Sequence, residues 1–399
     1  MISFRRFIAQ INPQIVPIVI LSLLAHATLS GGRVVSSLFV LQGGNSEVIA
    51  GLTYGLYGLM PALLSLHIGR WVDHVGPKLV MRISLLVIVM GLLIPAFYLS
   101  VSSVLVCAAF SGLGFGGYIL SAQTSVSLMK VEKESDRTGM FAWLQMGTSV
   151  SAVTGPILVG LIIDNNNFTT VYICLAGIVF LGLVGSFYAN IPEKKQPSDK
   201  VKRTGIIQEV VKNRSLMKIY FLSMATYFAW DCFSFMIPVL GVNQGYSATN
   251  IGLMLSFFSA GTLVVRLLMP WLSRKCNELK TLSISYGLAA AVFFLLPIAG
   301  NIIMLCALSL AFGLLAGLWH PNIQNLILTK VGAERAGEAS GLRLMSGNFS
   351  GMLGTTTCGA LTVLVGFFPV FVAIAGLMGA SSWQAYLSHR TENNEKTGA

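Results

Sequence analysis

The stretch Gly69–Lys78, which reads GRWVDHVGPK, separates two long apolar runs in this 399-residue chain. The runs cover approximately residues 48–69 and 79–99. At a rise of about 1.5 Å per residue, each is long enough as a helix to cross a hydrocarbon layer ~30 Å thick. Two such helices joined by so short a polar connection form a tight hairpin. Gly69 and Gly76 allow close backbone approach, and Pro77 suits the first turn of the next helix.

The composition places the whole chain in a lipid bilayer. Apolar residues make up 54% of the sequence and charged residues 10%, whereas soluble domains contain about 25% charged residues. The net charge of +11 does not indicate nucleic acid, because the basic residues lie between apolar runs instead of forming a patch. The sequence shows no catalytic triad, paired carboxylates or metal-ligand cluster, so we expect neither an enzyme nor a bound cofactor or metal.

Hydropathy predicts an all-α membrane protein with twelve transmembrane helices, called spans 1 to 12 below. One long polar segment, residues 191–215, follows span 6 and carries seven Lys and Arg residues. We interpret it as a cytoplasmic linker between an N-terminal unit, 1–190, and a C-terminal unit, 216–399. The predicted spans are 14–41, 48–69, 79–99, 103–128, 139–163, 169–190, 217–242, 249–272, 280–298, 302–328, 337–365 and 367–388.

The basic residues predict the orientation of these spans. Of the 26 Lys and Arg residues, all except Arg33 and Arg266 lie at the N-terminus, at the even-numbered connections and their flanks, or in the C-terminal tail. The connections after spans 1, 3, 5, 7, 9 and 11 contain none. Lys and Arg concentrate on the cytoplasmic side of membrane proteins. We therefore expect a multi-pass protein of the bacterial inner membrane with both termini in the cytoplasm.

Short sequence motifs in the first half recur in the second half at an offset of about half the chain. Residues 46–52, SEVIAGL, recur as SATNIGL at 247–253, and DRTG at 136–139 recurs as ERAG at 334–337. A pair of glycines five positions apart, at 155 and 160, recurs at 354 and 359. Repetition at a near-constant offset predicts two six-helix bundles related by pseudo-symmetry.

The Gly69–Lys78 stretch resembles the connection between helices 2 and 3 of the major facilitator superfamily (MFS). Gly69, Asp73, Gly76 and Lys78 match that pattern, whereas His74 and Pro77 stand where the family usually has basic residues. The resemblance implies the MFS fold, a substrate site between the halves near the bilayer midplane, and a cytoplasmic gating latch. The latch would contain the four matching residues together with Arg137 and Arg335. Alternatively, Asp73 is a solvated loop acid.

Two charged residues at similar depth predict a polar centre between the halves. Arg33 in span 1 and Asp231 in span 7 lie deep in apolar segments, where an unpaired charge is costly. The repeat offset equates Ser30 with Asp231, so Arg33 and Asp231 lie about one helical turn apart on symmetry-related helices. In the MFS these two helices face each other. We predict that the two side chains pair or share a substrate; the alternative is a fixed salt bridge that holds the halves together.

Other polar residues in the spans are weaker candidates. Arg266 in span 8 is interpreted as a gate or interface residue that extends toward the membrane surface. His320, beside Pro321 in span 10, is either a proton relay or a hydrogen-bonded packing residue. The remaining candidates for the substrate or proton pathway are His26, Gln123, Tyr227, Trp230, Trp319, Asn322 and Gln324.

These features predict a secondary active transporter that works by alternating access. Gly155-Pro156 in span 5 partly resembles the signature of proton-coupled exporters in this superfamily. We therefore expect proton-linked efflux of an amphipathic or drug-like compound by a monomer. Span 4 contains no basic residue before Lys130, however, although such exporters often have an Arg there. The embedded Arg residues favour the alternative, ion-coupled uptake of a small organic anion or metabolite.

Overall fold

Long helices form almost the whole backbone of the computed structural model, which describes residues 14–129, 134–191, 206–272, 277–331 and 336–397. Within these ranges there is no β-strand. Eleven helices are long and apolar enough to cross a membrane. Span 11, the 30-residue helix Ala336–Val365, completes the set of twelve.

The helices match the predicted spans in order, and most extend beyond them. A short helix, Ile206–Lys212, precedes span 7, and a 3-10 turn, Leu296–Ile298, follows span 9. Span 10 consists of two helices that meet at Gly317-Leu318. In chain order the spans are Val16–Gln42, Glu47–Val75, Pro77–Phe97, Val101–Leu128, Glu134–Asn165, Phe168–Tyr188, Arg214–Asn243, Ala248–Leu272, Glu278–Leu295, Ile302–Ala316 with Trp319–Val331, Ala336–Val365 and Phe367–Thr397.

The connection between spans 2 and 3 is shorter than the sequence predicted. The span 2 helix continues through Val75, so only Gly76 separates it from the helix that begins at Pro77. Gly76 has a φ of +92°, which side-chain-bearing residues rarely adopt, and its N–H donates to the Val72 carbonyl at 3.0 Å. The predicted polar hinge is instead the last turns of a helix, because Arg70, Trp71 and Asp73 are compatible with helical structure.

At the opposite end of the bundle, polar side chains cap the starts of the helices. Ser46, Asn167 and Asn301 accept hydrogen bonds from backbone N–H groups in the first turns of spans 2, 6 and 10, at 2.8–3.2 Å. Such caps satisfy donors that have no partner within the helix. Because of these caps, each helix can begin directly after a short connection that contains no Lys or Arg.

Spans 1–6 pack together, as do spans 7–12, and the two sets meet mainly through span 2 with span 11 and span 5 with span 8. The contact is closest at the end of the bundle that contains Asp164, which we call the Asp164 end. There the Cα atoms of Gly51 and Gly359 lie against backbone atoms of Thr355 and Glu47, and those of Gly160 and Gly252 against Ala248 and Pro156. Glycine permits this separation because any side chain would collide with the facing backbone.

At the other end, which contains Lys78 and which we call the Lys78 end, three glycines near the helix ends show no such contact with described residues. A methyl group added at Gly69, Gly139 or Gly341 would meet no described heavy atom within 4 Å. Among the described residues, the tightest contact between the halves is therefore at the Asp164 end.

Candidate functional site

A cavity of about 380 Å³ lies between the two halves, on the Lys78 side of the glycine contacts at the Asp164 end. Spans 1, 2, 4 and 5 form one wall, and spans 7, 8 and 11 form the other. The lining residues nearest the Asp164 end include Tyr54 and Leu255, each seven positions after the start of its helix, hence roughly 10 Å along the axis. The cavity is therefore in the middle of the molecule.

Arg33 and Asp231 connect the two halves at this cavity. The Arg33 Nη1 atom lies 3.3 Å from Asp231 Oδ1 and 3.3 Å from the Tyr54 hydroxyl, to which it donates. The guanidinium also stacks over the Tyr54 ring, 4.7 Å from its centroid. Ionic, hydrogen-bonding and cation–π contacts therefore hold one charged group in place.

Small residues in span 11 let span 7 approach closely enough to build this pair. Asp231 is only 8% exposed, and its carboxylate lies directly against the backbone of Gly351. One turn away, Gly347 lies against the ring of Tyr227. Glycines four positions apart on one helix face are typical of close helix packing in membranes. They also shield the side of Asp231 that faces away from Arg33.

Arg266 lies on the cavity wall and has a neutral partner. Its Nη1 atom donates to the Ser149 hydroxyl at 2.5 Å, across the junction of spans 8 and 5. Within the described ranges, Arg266 forms no ion pair. The sequence interpretation placed this residue at a gate or membrane interface; the structure places it on the same cavity as Arg33.

A second polar cluster surrounds His320, behind Trp230. The Arg343 Nη1 atom lies 3.3 Å from His320 Nδ1. Because arginine can only donate, Nδ1 is the acceptor and the ring carries its proton on Nε2. The rings of Tyr227 and Trp230 lie 4.8 and 5.5 Å from the imidazole. A protonated His320 would repel Arg343, so a proton relay here requires Arg343 to move.

His26 lies directly on the cavity wall, as does Gln123. The His26 Nδ1 atom is 2.8 Å from the Ser151 hydroxyl, whose own proton goes to the Thr148 carbonyl at 2.9 Å. His26 Nδ1 is therefore the donor, which leaves Nε2 of the neutral ring as an acceptor. The His26 ring also contacts Phe115, with 5.5 Å between centroids.

Three predicted site residues of span 10 lie away from the cavity wall. Trp319 is fully buried, and its indole N–H donates to Ser285 at 2.9 Å. Asn322 donates to the Leu318 carbonyl at 2.7 Å, and Gln324 donates to Ser340 at 2.7 Å. After the helix break at Gly317-Leu318, these side chains point into the C-terminal half, where they form hydrogen bonds with residues of that half.

The predicted gating residues lie at the Lys78 end as far as the structure describes them. Gly69, Gly76 and Lys78 are in spans 2 and 3 at this end. Arg335 lies outside the described residues, and the side chains of Asp73 and Arg137 are not described. The latch therefore remains a prediction.

Sequence reasoning missed Arg343, Tyr54 and Asn348. Arg343 is a deep charge that was counted with the flank of a basic connection, although it lies seven positions into its helix. Tyr54 and Tyr57, three positions apart on one face of span 2, both line the cavity, and that spacing is readable in the sequence. Asn348 also lines it, with no comparable signal.

The profile of the Major Facilitator Superfamily matches residues 16–355 and again residues 219–398. A probable nitrate transporter, NarT, from Staphylococcus epidermidis is 26% identical over 333 residues, which are 80% of this chain and 82% of NarT. The multidrug resistance protein MdtG from Klebsiella pneumoniae is 25% identical over 47% of this chain and 46% of MdtG. Among solved structures, a bacterial homologue of the human lysosomal transporter Spinster superimposes with a TM-score of 0.78 at 12% identity. That alignment covers 96% of this chain and 98% of the other.

Proposed function

This chain belongs to the Major Facilitator Superfamily, and from that premise we propose that it exports a small amphipathic compound in exchange for protons. The family consists of membrane transporters of small molecules, so the chain is a transporter and not an enzyme. In the proposed cycle, residues 1–190 rock against residues 216–399 about the central cavity, and the protein works as a monomer. No ATP-binding motif occurs in the sequence, so an ion gradient supplies the energy.

The observation that carries this proposal is the Arg33–Asp231 pair, which joins the two halves at the cavity. A transporter that alternates must make and break contacts between its halves. The described pair is held by one 3.3 Å contact between spans 1 and 7. Protonation of Asp231 would remove the charge that Arg33 neutralises and so loosen the contact. His26, whose Nε2 is the acceptor nitrogen of the neutral ring, is a second proton acceptor on the same cavity.

The positive-inside distribution supports a Lys78 end in the cytoplasm. With that orientation, the close glycine contacts lie at the outer end, and in the proposed cycle this conformation gives access to the cavity from the cytoplasm. An exporter loads its cargo in such a conformation. The aromatic wall residues Phe115, Trp230 and Phe258 provide surfaces for an amphipathic cargo, and the similarity to the multidrug resistance protein MdtG is consistent with this.

Ion-coupled uptake of a small organic anion is the second candidate. It is favoured by the two guanidinium groups on the cavity wall, Arg33 and Arg266. The similarity to a probable nitrate transporter points in the same direction. The two candidates differ in the direction of net movement and in the charge of the cargo.

Flux into everted membrane vesicles and proteoliposomes tests both candidates. With the vesicle interior acidified, proton-linked export predicts accumulation of an amphipathic dye that collapses when a protonophore is added. Asp231→Asn should abolish the gradient dependence, whereas Gly177→Val, at an exposed glycine of span 6 with open space around it, should leave it intact. Flux of dyes and organic acids that ignores the proton gradient contradicts the export proposal.

A further inference from the structure

The charges on the cavity wall are all of one sign. Among the described residues that line the cavity, Arg33 and Arg266 are the charged side chains, and no carboxylate is present. Asp231 lies behind Arg33 instead of on the wall. A ligand that enters the cavity therefore meets guanidinium groups first.

The two guanidinium groups differ in how their charge is compensated. Arg33 is paired with Asp231 at 3.3 Å, whereas Arg266 donates to the neutral hydroxyl of Ser149 at 2.5 Å and forms no ion pair within the described part of the chain. A hydroxyl satisfies one donor and leaves the positive charge unbalanced. An unbalanced charge in a membrane protein is costly and typical of a substrate site.

The donor geometry of arginine indicates what would balance this charge. A guanidinium presents five N–H donors in a planar fork that matches a carboxylate. Ser149 accepts from one of the donors of Arg266. Across the cavity, the buried Arg33 Nε atom also has no hydrogen-bond partner. Gln145 and Thr148, which precede Ser149 in span 5, line the wall nearby.

The rest of the cavity is suited to an apolar body. Trp230 and Phe258 contact each other with 4.8 Å between ring centroids, and Phe115 contributes a third aromatic ring from span 4. A volume of about 380 Å³ falls within the size range of sites for small organic ligands. An inorganic oxyanion would fill only a small part of it and leave these aromatic surfaces without a partner.

We propose that the cavity binds a small monocarboxylate, whose anionic group is held by Arg266 and whose apolar body packs against Trp230, Phe258 and Phe115. This inference rests on the proposed transport function, because it takes the cavity as the cargo site. It resolves the two cargo classes above into one, an amphipathic organic anion. Arg33 and Asp231, already paired, then serve the movement of the halves more than the recognition of the charge.

Binding of three matched aromatic probes to the purified full-length protein in nanodiscs tests the proposal. Benzoate, benzyl alcohol and benzyltrimethylammonium share a ring and differ in charge. We expect saturable binding of benzoate by calorimetry, at least tenfold tighter than that of the alcohol, and none of the cation at the same concentration. Arg266→Gln should weaken benzoate binding at least tenfold, and Arg266→Lys should retain part of it. Nitrate, added as an inorganic anion, should bind at least tenfold more weakly than benzoate.

Arg82→Gln is the matched control. The Arg82 guanidinium donates to the Ser186 carbonyl at 3.1 Å and stacks on Phe187, away from the cavity, so its loss should leave benzoate affinity unchanged. The proposal is overturned by benzoate affinity that survives Arg266→Gln, by a preference for the cation, by nitrate binding as tightly as benzoate, or by no benzoate binding at all.

Flux measurements separate failure of this inference from failure of the proposed function. Arg266-dependent benzoate binding without gradient-driven flux of any probe would leave the anion site standing and refute transport. Gradient-driven flux of a cationic dye that Arg266→Gln does not change would support transport and refute the anion site.

Discussion

The two ends of the bundle differ in the residues that form them. At the Asp164 end, four glycines bring backbone against backbone across the two halves, and the connections contain no Lys or Arg. At the Lys78 end, Gly69, Gly139 and Gly341 have no described heavy atom within reach of an added methyl group, and the connections are basic. Closure at the Asp164 end therefore relies on short-range packing.

The Asp164 end is also asymmetric in one respect. The backbone contacts Gly160–Ala248 and Gly359–Glu47 are related by the internal repeat. The Asp164 carboxylate adds hydrogen bonds from the N–H groups of Ala248 and Thr249, at 3.0 and 2.8 Å, and so caps span 8 from the other half of the molecule. We call these two hydrogen bonds the Asp164 clasp. The offset of 199 places Val363 at the equivalent position in the second half, so the Asp164 clasp has no symmetry-related copy.

The largest effect is expected from breaking the Arg33–Asp231 pair, which ties the halves together just inside the closed end. Asp231→Asn leaves Arg33 without a counter-charge, and removing one partner of a buried ion pair typically costs about 3–5 kcal/mol. We expect transport in proteoliposomes to fall at least a hundredfold in Asp231→Asn and in Arg33→Gln. Undiminished transport in both variants would restrict the pair to a dispensable structural contact.

The charge-reversed double variant, Arg33→Asp with Asp231→Arg, distinguishes the two interpretations of the pair. A fixed salt bridge can be rebuilt in the opposite direction, and transport would then recover together with thermal stability. If Asp231 must accept a proton within the cycle, we expect stability to recover while gradient-driven transport does not.

The deep charges also show how far sequence reasoning reaches. The repeat offset brings Arg33 and Asp231 together correctly, because symmetry-related helices place equivalent positions at equivalent depth. The repeat offset does not predict the direction in which a side chain points from its helix. Trp319 was expected on the cavity and is buried in the C-terminal half, because a break at Gly317-Leu318 restarts the helix and places Pro321 in its first turn, where proline is tolerated.

Hydropathy has a similar limit at helix ends. It predicts twelve spans in order, but it ends span 2 at residue 69, whereas the helix continues to Val75. Polar residues lower the hydropathy of a segment and so end the predicted span, although the helix continues through them. Arg343 was counted with a basic flank although the predicted span 337–365 contains it, and the structure shows that it contacts His320 beside the cavity. Span boundaries and the roles of polar residues near them therefore require coordinates.

The second largest effect is expected from adding bulk to the glycine interface. In Gly252→Val the new side chain would collide with the Pro156 carbonyl, which belongs to backbone and cannot rotate away. Overpacking typically costs about 1–3 kcal/mol, so we expect a lower unfolding temperature and a large loss of transport. Full transport by Gly252→Val would show that close contact at the Asp164 end is not required.

Gly341→Val tests whether the Lys78 end closes during the transport cycle. The first carbon of the added side chain would meet no described heavy atom within 4 Å, so we expect an unchanged unfolding temperature. If the Lys78 end closes during the cycle, the same side chain obstructs that closure and transport falls. Gly177→Val, on the exposed face of span 6, should change neither measurement. Equal transport by the Gly341 and Gly177 variants would argue against closure at this position.

The smallest effect is expected from removing the Asp164 clasp. Helix caps contribute about 0.5–2 kcal/mol, so Asp164→Ala should shift the balance between closed and open states at this end by roughly fivefold without unfolding the protein. Asp164→Asn keeps one acceptor for the backbone donors and should shift it less. The measurement is the distance distribution between spin labels at Asn166 and Gln244, one in each half at the Asp164 end. An unchanged distribution in Asp164→Ala would show that the glycine contacts alone hold this end closed, whereas a graded increase from Asn to Ala assigns part of the closure to the carboxylate.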